Sequence, residues 1–268
     1  MLTILLLIWL FFPFYFMFIS AFKDNAQMGA YPPTLLFQPS LSAFLSAISP
    51  NSPGHFGLDW PRFFENSFIV SLLATGGALL IGVPAALGLA YLPVGNKYSV
   101  AFGFLTLRML PPLVAILPMF ILMSFLHLLD TYAGLTLEYI ILGLPWVIWL
   151  SWSFLEGIPK SIFEAAQVDG ASTFSAFIRI ILPLVLPGLL VSGVFAFLQA
   201  YDDLAIATII GGSSTQTVTM GLSSLVSGRL QLWNVVFAVG VLNIIPSLVL
   251  VFLVRKHWAR ALSMGLVK

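Results

Sequence analysis

Six long apolar stretches dominate this sequence and restrict the folds that are open to it. An α-helix crosses a hydrocarbon core about 30 Å thick with roughly 17–25 apolar residues, and each stretch is at least that long. Inside a bilayer every backbone polar group must be bonded within the protein, so only helices and closed barrels can span it. We therefore predict an all-α membrane protein with a single transmembrane domain over residues 1–268. The spans are predicted at 2–22, 67–91, 101–128, 139–155, 184–204 and 235–254.

The bulk composition agrees with a membrane protein and excludes several other classes. Hydrophobic residues make up 60% of the chain and charged residues 8%, and the mean hydropathy is +1.05, far from the range of soluble domains. A formal net charge of +1 provides no basic surface for nucleic acid. Because the chain has no cysteine, neither a disulfide framework nor a thiolate metal site can form.

The first apolar stretch, residues 2–22, invites comparison with a secretory signal. It has no basic leader and no small-residue cleavage site, and it is rich in aromatic residues. These features favour a membrane span over a signal segment.

Basic residues are distributed unequally between the two predicted sides of the membrane. Six spans place both termini on one side, which holds Lys97, Lys160, Arg179, Arg255, Lys256, Arg260 and Lys268. The opposite side holds Lys23, Arg62 and Arg229. Since Lys and Arg accumulate in cytoplasmic loops, we expect both termini to be cytoplasmic.

A polar-flanked segment lies between the fourth and fifth predicted spans. Ser161 and Glu164 have the spacing of a capping box, in which each side chain bonds a free backbone N–H at the start of a helix. This pattern predicts a helix from Ile162 to about Val168, and Gly170 is placed to end it in the left-handed conformation. On the expected orientation, the segment faces the cytoplasm.

The same segment is expected to contain two short helices and a docking surface. Ser172 or Thr173 can cap the second helix, which is predicted to run to Pro183. The first helix has only about two turns and is too short to be stable alone in water. Most of its side chains are nevertheless apolar, namely Ile162, Phe163, Ala165, Ala166 and Val168. An exposed apolar surface of this kind indicates docking in a groove of another protein.

The spacing of this segment resembles the EAA loop of permease subunits in bacterial ATP-binding-cassette (ABC) importers. The matching residues are Glu164-Ala165-Ala166, then Gly170 after three residues, then Ile180-x-Leu182-Pro183 after nine more. Every fixed position of the motif is present. The sequence from Arg108-Met-Leu-Pro-Pro to the C-terminus looks like the carbohydrate-uptake branch, of which maltose-type permeases are the best-known example.

This resemblance implies the type I importer permease fold in a bacterial inner membrane. It also implies several partners: a second homologous permease subunit, two cytoplasmic ATPase subunits, membrane lipid, and an external binding protein that delivers a sugar or sugar-like solute. ATP and Mg would bind the ATPase subunits, so this chain is expected to bind no cofactor and to be no enzyme itself. The coupling residues implied are Ser161, Glu164, Ala165, Ala166, Asp169, Gly170, Ile180, Leu182 and Pro183. Glu164 either pairs with a basic residue of the ATPase or serves only in the capping box.

Two further regions are candidates on the same resemblance. The loop between the last two spans would approach the binding protein with Gly211, Gly212, Ser213, Ser214 and Thr215, whose composition suits either a mobile tip or an ordinary loop. The substrate path would include Arg108, Tyr201, Asp202, Asp203 and Asn243. Arg108 is either functional or a boundary residue that reaches the cytoplasmic interface. The family often has an Asn-Glu pair at the end of the fifth span, and the different residues here weaken any transfer of substrate identity.

Other chemistries are poorly supported by the sequence. It contains no His-Glu-x-x-His or Gly-x-Ser-x-Gly pattern and no phosphate-binding lysine loop, and His55, His127 and His257 are scattered, so we expect no metal site. A permease for a non-sugar solute is an alternative. An ion-coupled secondary transporter is a weaker one, because such proteins usually have internal repeats and ionisable groups at the bilayer midplane. Here Arg108 is the only charge expected deep in a span.

Overall fold

The computed structural model describes residues 2–30, 36–49, 57–109, 111–227 and 232–266, and every regular element in these ranges is helical. The helices are α1 Leu2–Ser20, α2 Asn25–Met28, α3 Ser42–Ile48, α4 Trp60–Tyr91, α5 Lys97–Leu107, α6 Pro112–Phe125, α7 Tyr132–Glu156, α8 Lys160–Val168, α9 Thr173–Ala176, α10 Leu182–Tyr201, α11 Ala205–Ile210, α12 Val218–Ser227 and α13 Trp233–Leu266, with a π-helical turn at Phe177–Ile181. The predicted all-α architecture is confirmed. His55, Leu110, Arg229 and Lys268, which entered the sequence predictions, lie outside the described residues.

Five helical segments in the described ranges are long and apolar enough to cross a membrane. They are Thr3–Ser20, Trp60–Tyr91, Tyr132–Glu156, Thr173–Tyr201 and Trp233–Lys256. The third predicted span, 101–128, corresponds instead to the two shorter helices α5 and α6. The chain leaves the helical conformation at Pro111, whose ψ is 127°. A residue that precedes a proline disfavours the helical region, and Pro112 has no N–H to donate, so two consecutive prolines interrupt the helix.

Helix α7 begins seven residues before the predicted start of the fourth span. The Thr131 side chain caps it by accepting a hydrogen bond from the Gly134 N–H at 3.0 Å. As a result Glu138, which the sequence placed in a loop, lies inside α7 with only 4% of its surface exposed. Glu138 is thus a buried ionisable residue of a candidate spanning helix that the sequence analysis did not single out.

Contacts within the chain define two compact units. The first consists of Met1–Ser67 and Thr215–Leu248, and the second of Phe68–Ser214 and Val249–Lys268. Helices α4 and α13 each contribute residues to both units.

The core of the first unit joins the start of α4 to α12. Gly221 of α12 packs against two aromatic rings, and a Cβ at this position would lie 2.8 Å from Phe63 and 2.9 Å from Trp60. The backbone N–H of Val218 donates to the Ser67 hydroxyl at 3.0 Å. Close approach at a small residue is the usual way in which membrane helices pack.

The second unit is built around the pair α7 and α10. Gly188 of α10 lies against the ring of Phe154 on α7, with no room for a Cβ. Gly82 of α4 packs on Val147, where a Cβ would come within 2.6 Å. At one end of this unit, α8 and α9 rest on a buried cluster that includes Leu155 and Ile181. This cluster holds the segment that resembles the coupling loop.

Candidate functional site

The first helix of the segment that resembles the coupling loop, Lys160–Val168, starts two residues earlier than a Ser161 cap requires. Pro159 occupies the position before α8 in an extended conformation, and no side chain caps the helix there. Ser161 is consequently the second residue of α8, inside its first turn. The predicted capping box of Ser161 and Glu164 was wrong, and the exposed Glu164 side chain has no role in holding this helix start.

The end of α8 agrees with the sequence prediction. Gly170 has a φ of +86°, the left-handed conformation, and no atom lies within 4 Å of where a Cβ would be. Its N–H donates to the Gln167 carbonyl, and the Ala171 N–H reaches back to the Ala166 carbonyl, both at 3.0 Å. These two bonds form a Schellman motif. Glycine is therefore favoured here by backbone conformation and not by lack of space.

The second helix of the segment continues further than predicted. Ser172 caps α9 by accepting a hydrogen bond from the Ser175 N–H at 3.2 Å, as expected. Beyond Ala176 the chain forms the π-helical turn and then passes directly into α10, where Pro183 lies in the first turn. Proline is tolerated at the start of a helix because its missing N–H has no partner there. Pro183 thus marks the start of α10 and does not end a separate helix.

The apolar side chains of α8 are divided between two faces. Phe163 and Ala166 are buried against this chain's own core, and the Phe163 ring lies 4.6 Å from that of Tyr91, between centroids. Ile162 and Ala165 face outward with Val168, which is 87% exposed. The predicted docking surface is thus smaller than the full set of apolar residues, and Ala166 does not contribute to it.

Phe174 of α9 is a further exposed apolar residue of this segment and was missed from the sequence. Its side chain is 76% exposed. We call Ile162, Val168 and Phe174 the outer patch. The sequence does contain a signal for Phe174. It is an aromatic residue two positions after the cap Ser172, and the other exposed residues of that turn are small or polar.

A cavity of about 210 Å³ adjoins the start of α8. Its lining consists of Ala90, Tyr91, Leu155, Glu156, Ile158, Pro159 and Lys160. Glu156 forms an ion pair with Lys97 at 2.5 Å. The N-terminal part of α8 therefore rests beside unfilled space, whereas Phe163 anchors its middle.

The predicted binding-protein loop is tied to the turn before α7. Both carboxylate oxygens of Asp130 accept hydrogen bonds from the Ser214 N–H at 3.1 Å, and a Cβ on Gly212 would lie 2.6 Å from the same carboxyl carbon. Ser213 and Ser214 are exposed. Thr215 is only 1% exposed, so its side chain does not face a partner.

Four of the five residues predicted for the substrate path belong to the second compact unit, and Asn243 belongs to the first. Asp203 accepts hydrogen bonds from the Ile206 N–H at 2.8 Å and from the Tyr139 hydroxyl at 3.2 Å, which is a capping and packing role for α11. Tyr201 is buried, Asp202 is exposed, and Asn243 belongs to the other compact unit.

Arg108 instead meets two residues that the sequence did not single out. Its Nη2 donates to Oε1 of Gln199 on α10, and its guanidinium lies 5.6 Å from the centre of the Trp146 ring on α7. No group of three or more His, Cys, Asp or Glu side chains suited to a metal ion occurs among the described residues.

The family follows from the match of most of the chain to a known sequence model. Residues 78–264 match the binding-protein-dependent transport system inner membrane component family. The chain belongs to this family. It is thus an ABC transporter permease, and the resemblance predicted from the motif at 164–183 is confirmed.

Relatives of this permease match it along nearly its whole length. It is 29% identical over 260 residues to the sulfoquinovosyl glycerol transport system permease protein SmoH of Agrobacterium fabrum, covering 96% of this chain and 88% of the relative. It is 31% identical over 256 residues to the sn-glycerol-3-phosphate transport system permease protein UgpE of Yersinia pestis, covering 94% and 90%.

A solved structure shares the fold. The crystal structure of a bacterial ABC transporter involved in the import of the acidic polysaccharide alginate superposes with a TM-score of 0.74 at 19% identity, covering 95% of the permease and 93% of that chain. The predicted type I importer permease fold is confirmed.

Proposed function

We propose that this permease forms half of the translocation path of an ATP-driven importer for a sugar or sugar-like solute. The outer patch carries the proposal. It is an exposed apolar surface on a segment held against the chain's own core by Phe163, and it lies within the residues that match the coupling motif. Polar and small residues flank it, among them Glu164, Gln167 and Gly170. An apolar surface in such surroundings favours a soluble protein as its cover.

The occupant that fits is one of two ATPase subunits on the cytoplasmic side. Ile162, Val168 and Phe174 would enter a cleft on it, and the exposed carboxylate of Glu164 would pair with a basic residue at the rim. ATP and Mg would bind the ATPase subunits, and this chain would take no catalytic part. Closure of the ATPases on nucleotide would move α8, because a ligand shifts a conformational equilibrium by its differential affinity for the two states.

Movement of α8 would reach the spans through the Phe163–Tyr91 contact. Tyr91 is the last residue of α4, and the same buried cluster contains residues of α7 and α10. Close-packed side chains transmit a displacement because the interior has little free volume. A second homologous permease would supply the other half of the path.

A sugar is the favoured solute because the solutes of SmoH and of the alginate transporter, sulfoquinovosyl glycerol and alginate, both contain sugars. The relation to UgpE, whose solute is sn-glycerol-3-phosphate, favours a non-sugar polyol phosphate as the second candidate. An external binding protein would deliver either one, approaching the loop that contains Ser213 and Ser214.

The test is a double substitution on the outer patch of the reconstituted transporter. Val168→Asp with Phe174→Asp places two charges where apolar side chains would be buried, and we expect ATPase docking to weaken about tenfold or more. Gln167→Asp is the matched control, since it adds a charge to the same helix without removing an apolar contact. Unchanged ATPase co-purification and uptake in the double variant would refute the proposal. Mass spectrometry of the proteins that co-purify with the wild type would identify the binding protein, and hence the solute.

A further inference from the structure

Three helices of the second unit bring an arginine, a tryptophan and a glutamine together. Arg108 follows α5, Trp146 lies near the middle of α7, and Gln199 is in the last turns of α10. The Arg108 guanidinium donates to the Gln199 amide oxygen and lies over the Trp146 ring. All three side chains are partly exposed on this chain.

The charge of Arg108 is oriented by these contacts but is not neutralised by them. Among the residues that the structure describes, no carboxylate lies within 4.0 Å of this guanidinium. Both of its partners are uncharged side chains. A cation held between apolar helices without a counter-charge attracts an anion strongly, because the low dielectric hardly screens it.

The surroundings of Arg108 suit a sugar ring that carries an acidic group. Trp146 is stacked on Phe195, with ring centroids 6.0 Å apart and planes inclined by 23°. The two aromatic rings form an apolar side of the Arg108 site. Because Arg108 fixes the amide oxygen of Gln199, the NH₂ group of that amide is left to donate to a hydroxyl group.

We propose that Arg108, Trp146 and Gln199 form a subsite for an anionic sugar. The guanidinium binds the carboxylate or phosphate group of the solute, with the two-point geometry that arginine provides. Trp146 and Gln199 hold the guanidinium in place, and the NH₂ group of Gln199 contacts a hydroxyl. The inference rests on the proposed transport function and adds the class of solute to it.

The subsite can be tested on the purified complex of permeases and ATPases in uncharged detergent. The probes are digalacturonate and its dimethyl ester, which has the same rings without the charges, and binding is measured by saturation-transfer difference NMR. The wild-type complex should bind digalacturonate about tenfold more tightly than the ester, since one charge-assisted hydrogen-bond pair contributes a difference of that order. Added salt should reduce the difference.

Two substitutions test separately whether the preference requires the Arg108 guanidinium and whether it requires that guanidinium to have no carboxylate partner. Arg108→Gln should abolish the preference for digalacturonate. Gln199→Glu keeps the guanidinium but places a carboxylate on it, so the preference should also be lost while the helices stay joined. Trp146→Ala should weaken the preference for digalacturonate, because it removes the cation–π contact that positions the guanidinium.

Three outcomes would overturn the subsite. The first is equal binding of the two probes to the wild type, and the second is a preference that survives both Arg108→Gln and Gln199→Glu. The third is loss of the second permease from Arg108→Gln preparations, which would mean that Arg108 pairs with a carboxylate of that subunit. The binding of the two probes does not depend on the outer patch. ATPase docking is measured in a separate experiment, and a loss of docking would leave the binding of the probes unchanged.

Discussion

Asp130 and Ser214 are separated by 84 residues in the chain, yet the carboxylate of the first accepts the backbone N–H of the second. The Asp130 N–H also donates to the Ile210 carbonyl at 2.9 Å. Asp130 has a φ of +54°, a conformation that aspartate tolerates better than most residues. The turn before α7 thereby sets the position of the loop that we assign to binding-protein contact.

Ser214→Pro should loosen this loop. Proline removes the N–H that Asp130 accepts, and a hydrogen bond to a charged group contributes about 1.5–3 kcal/mol. We expect the binding-protein concentration that half-saturates stimulated ATP hydrolysis to rise about tenfold. Ser214→Ala retains the N–H and should behave like the wild type. An equal loss in Ser214→Ala would show that the hydroxyl matters and the backbone bond does not.

Phe163→Ala should uncouple ATP hydrolysis from uptake. Removing the ring takes away the contact with Tyr91 and leaves a cavity, at a cost of about 3–5 kcal/mol for a well-packed site. The ratio of solute imported to ATP hydrolysed in proteoliposomes should fall, while ATPase co-purification persists because the outer patch is intact. Tyr91→Phe is the control: its hydroxyl is buried without a partner among the described residues, so its loss should be neutral. A wild-type ratio in Phe163→Ala would contradict this route.

Gly170→Ala should weaken ATPase docking through the backbone. An alanine in the left-handed conformation costs about 1–2 kcal/mol, although the site has space for the methyl group. Gly170→Asn should be milder, because asparagine adopts this conformation more readily. Affinity for the ATPase, measured by titration in detergent, should therefore decrease in the order Gly, Asn, Ala. The reverse order of Asn and Ala would argue against the conformational explanation.

Gly188→Ala should destabilise the pair α7 and α10. The added methyl group would collide with the Phe154 ring, and overpacking of this kind costs about 1–3 kcal/mol. A lower thermal midpoint of the purified complex is expected, with partial recovery when Phe154→Ala is added. Gly76→Ala in α4 is the control, since no atom lies within 4 Å of its Cβ position. Equal thermal midpoints in Gly188→Ala and Gly76→Ala would show that the Phe154 ring does not pack on Gly188 as described.

Local rules predicted the parts of the coupling segment that depend on local chemistry. The left-handed Gly170 and the cap at Ser172 both follow from residue type and spacing. The start of α8 was misplaced because Pro159 and Ser161 are both acceptable positions before a helix, and the shift of two residues removes the capping box.

The features that could not be predicted from the sequence are those that depend on tertiary packing. Glu138 was placed in a loop because a carboxylate usually marks the edge of a span, whereas Thr131 caps α7 a full two turns earlier. The pairs Asp130–Ser214 and Arg108–Gln199 join residues 84 and 91 positions apart. No periodicity within a single sequence carries information on contacts of that range.

The π-helical turn at Phe177–Ile181 contains wider hydrogen-bonded rings than an α-helix, such as the bond from the Leu182 N–H to the Phe177 carbonyl. The π-helical turn holds one residue more than the corresponding α-helical turn. Converting it to a regular α-helix would rotate α10 by about 100° and shift it by about 1.5 Å relative to α9. Spin-label distances across the turn, with and without nucleotide, would measure any such change. A change in this turn would therefore convert a displacement along the helix axis into a rotation of α10.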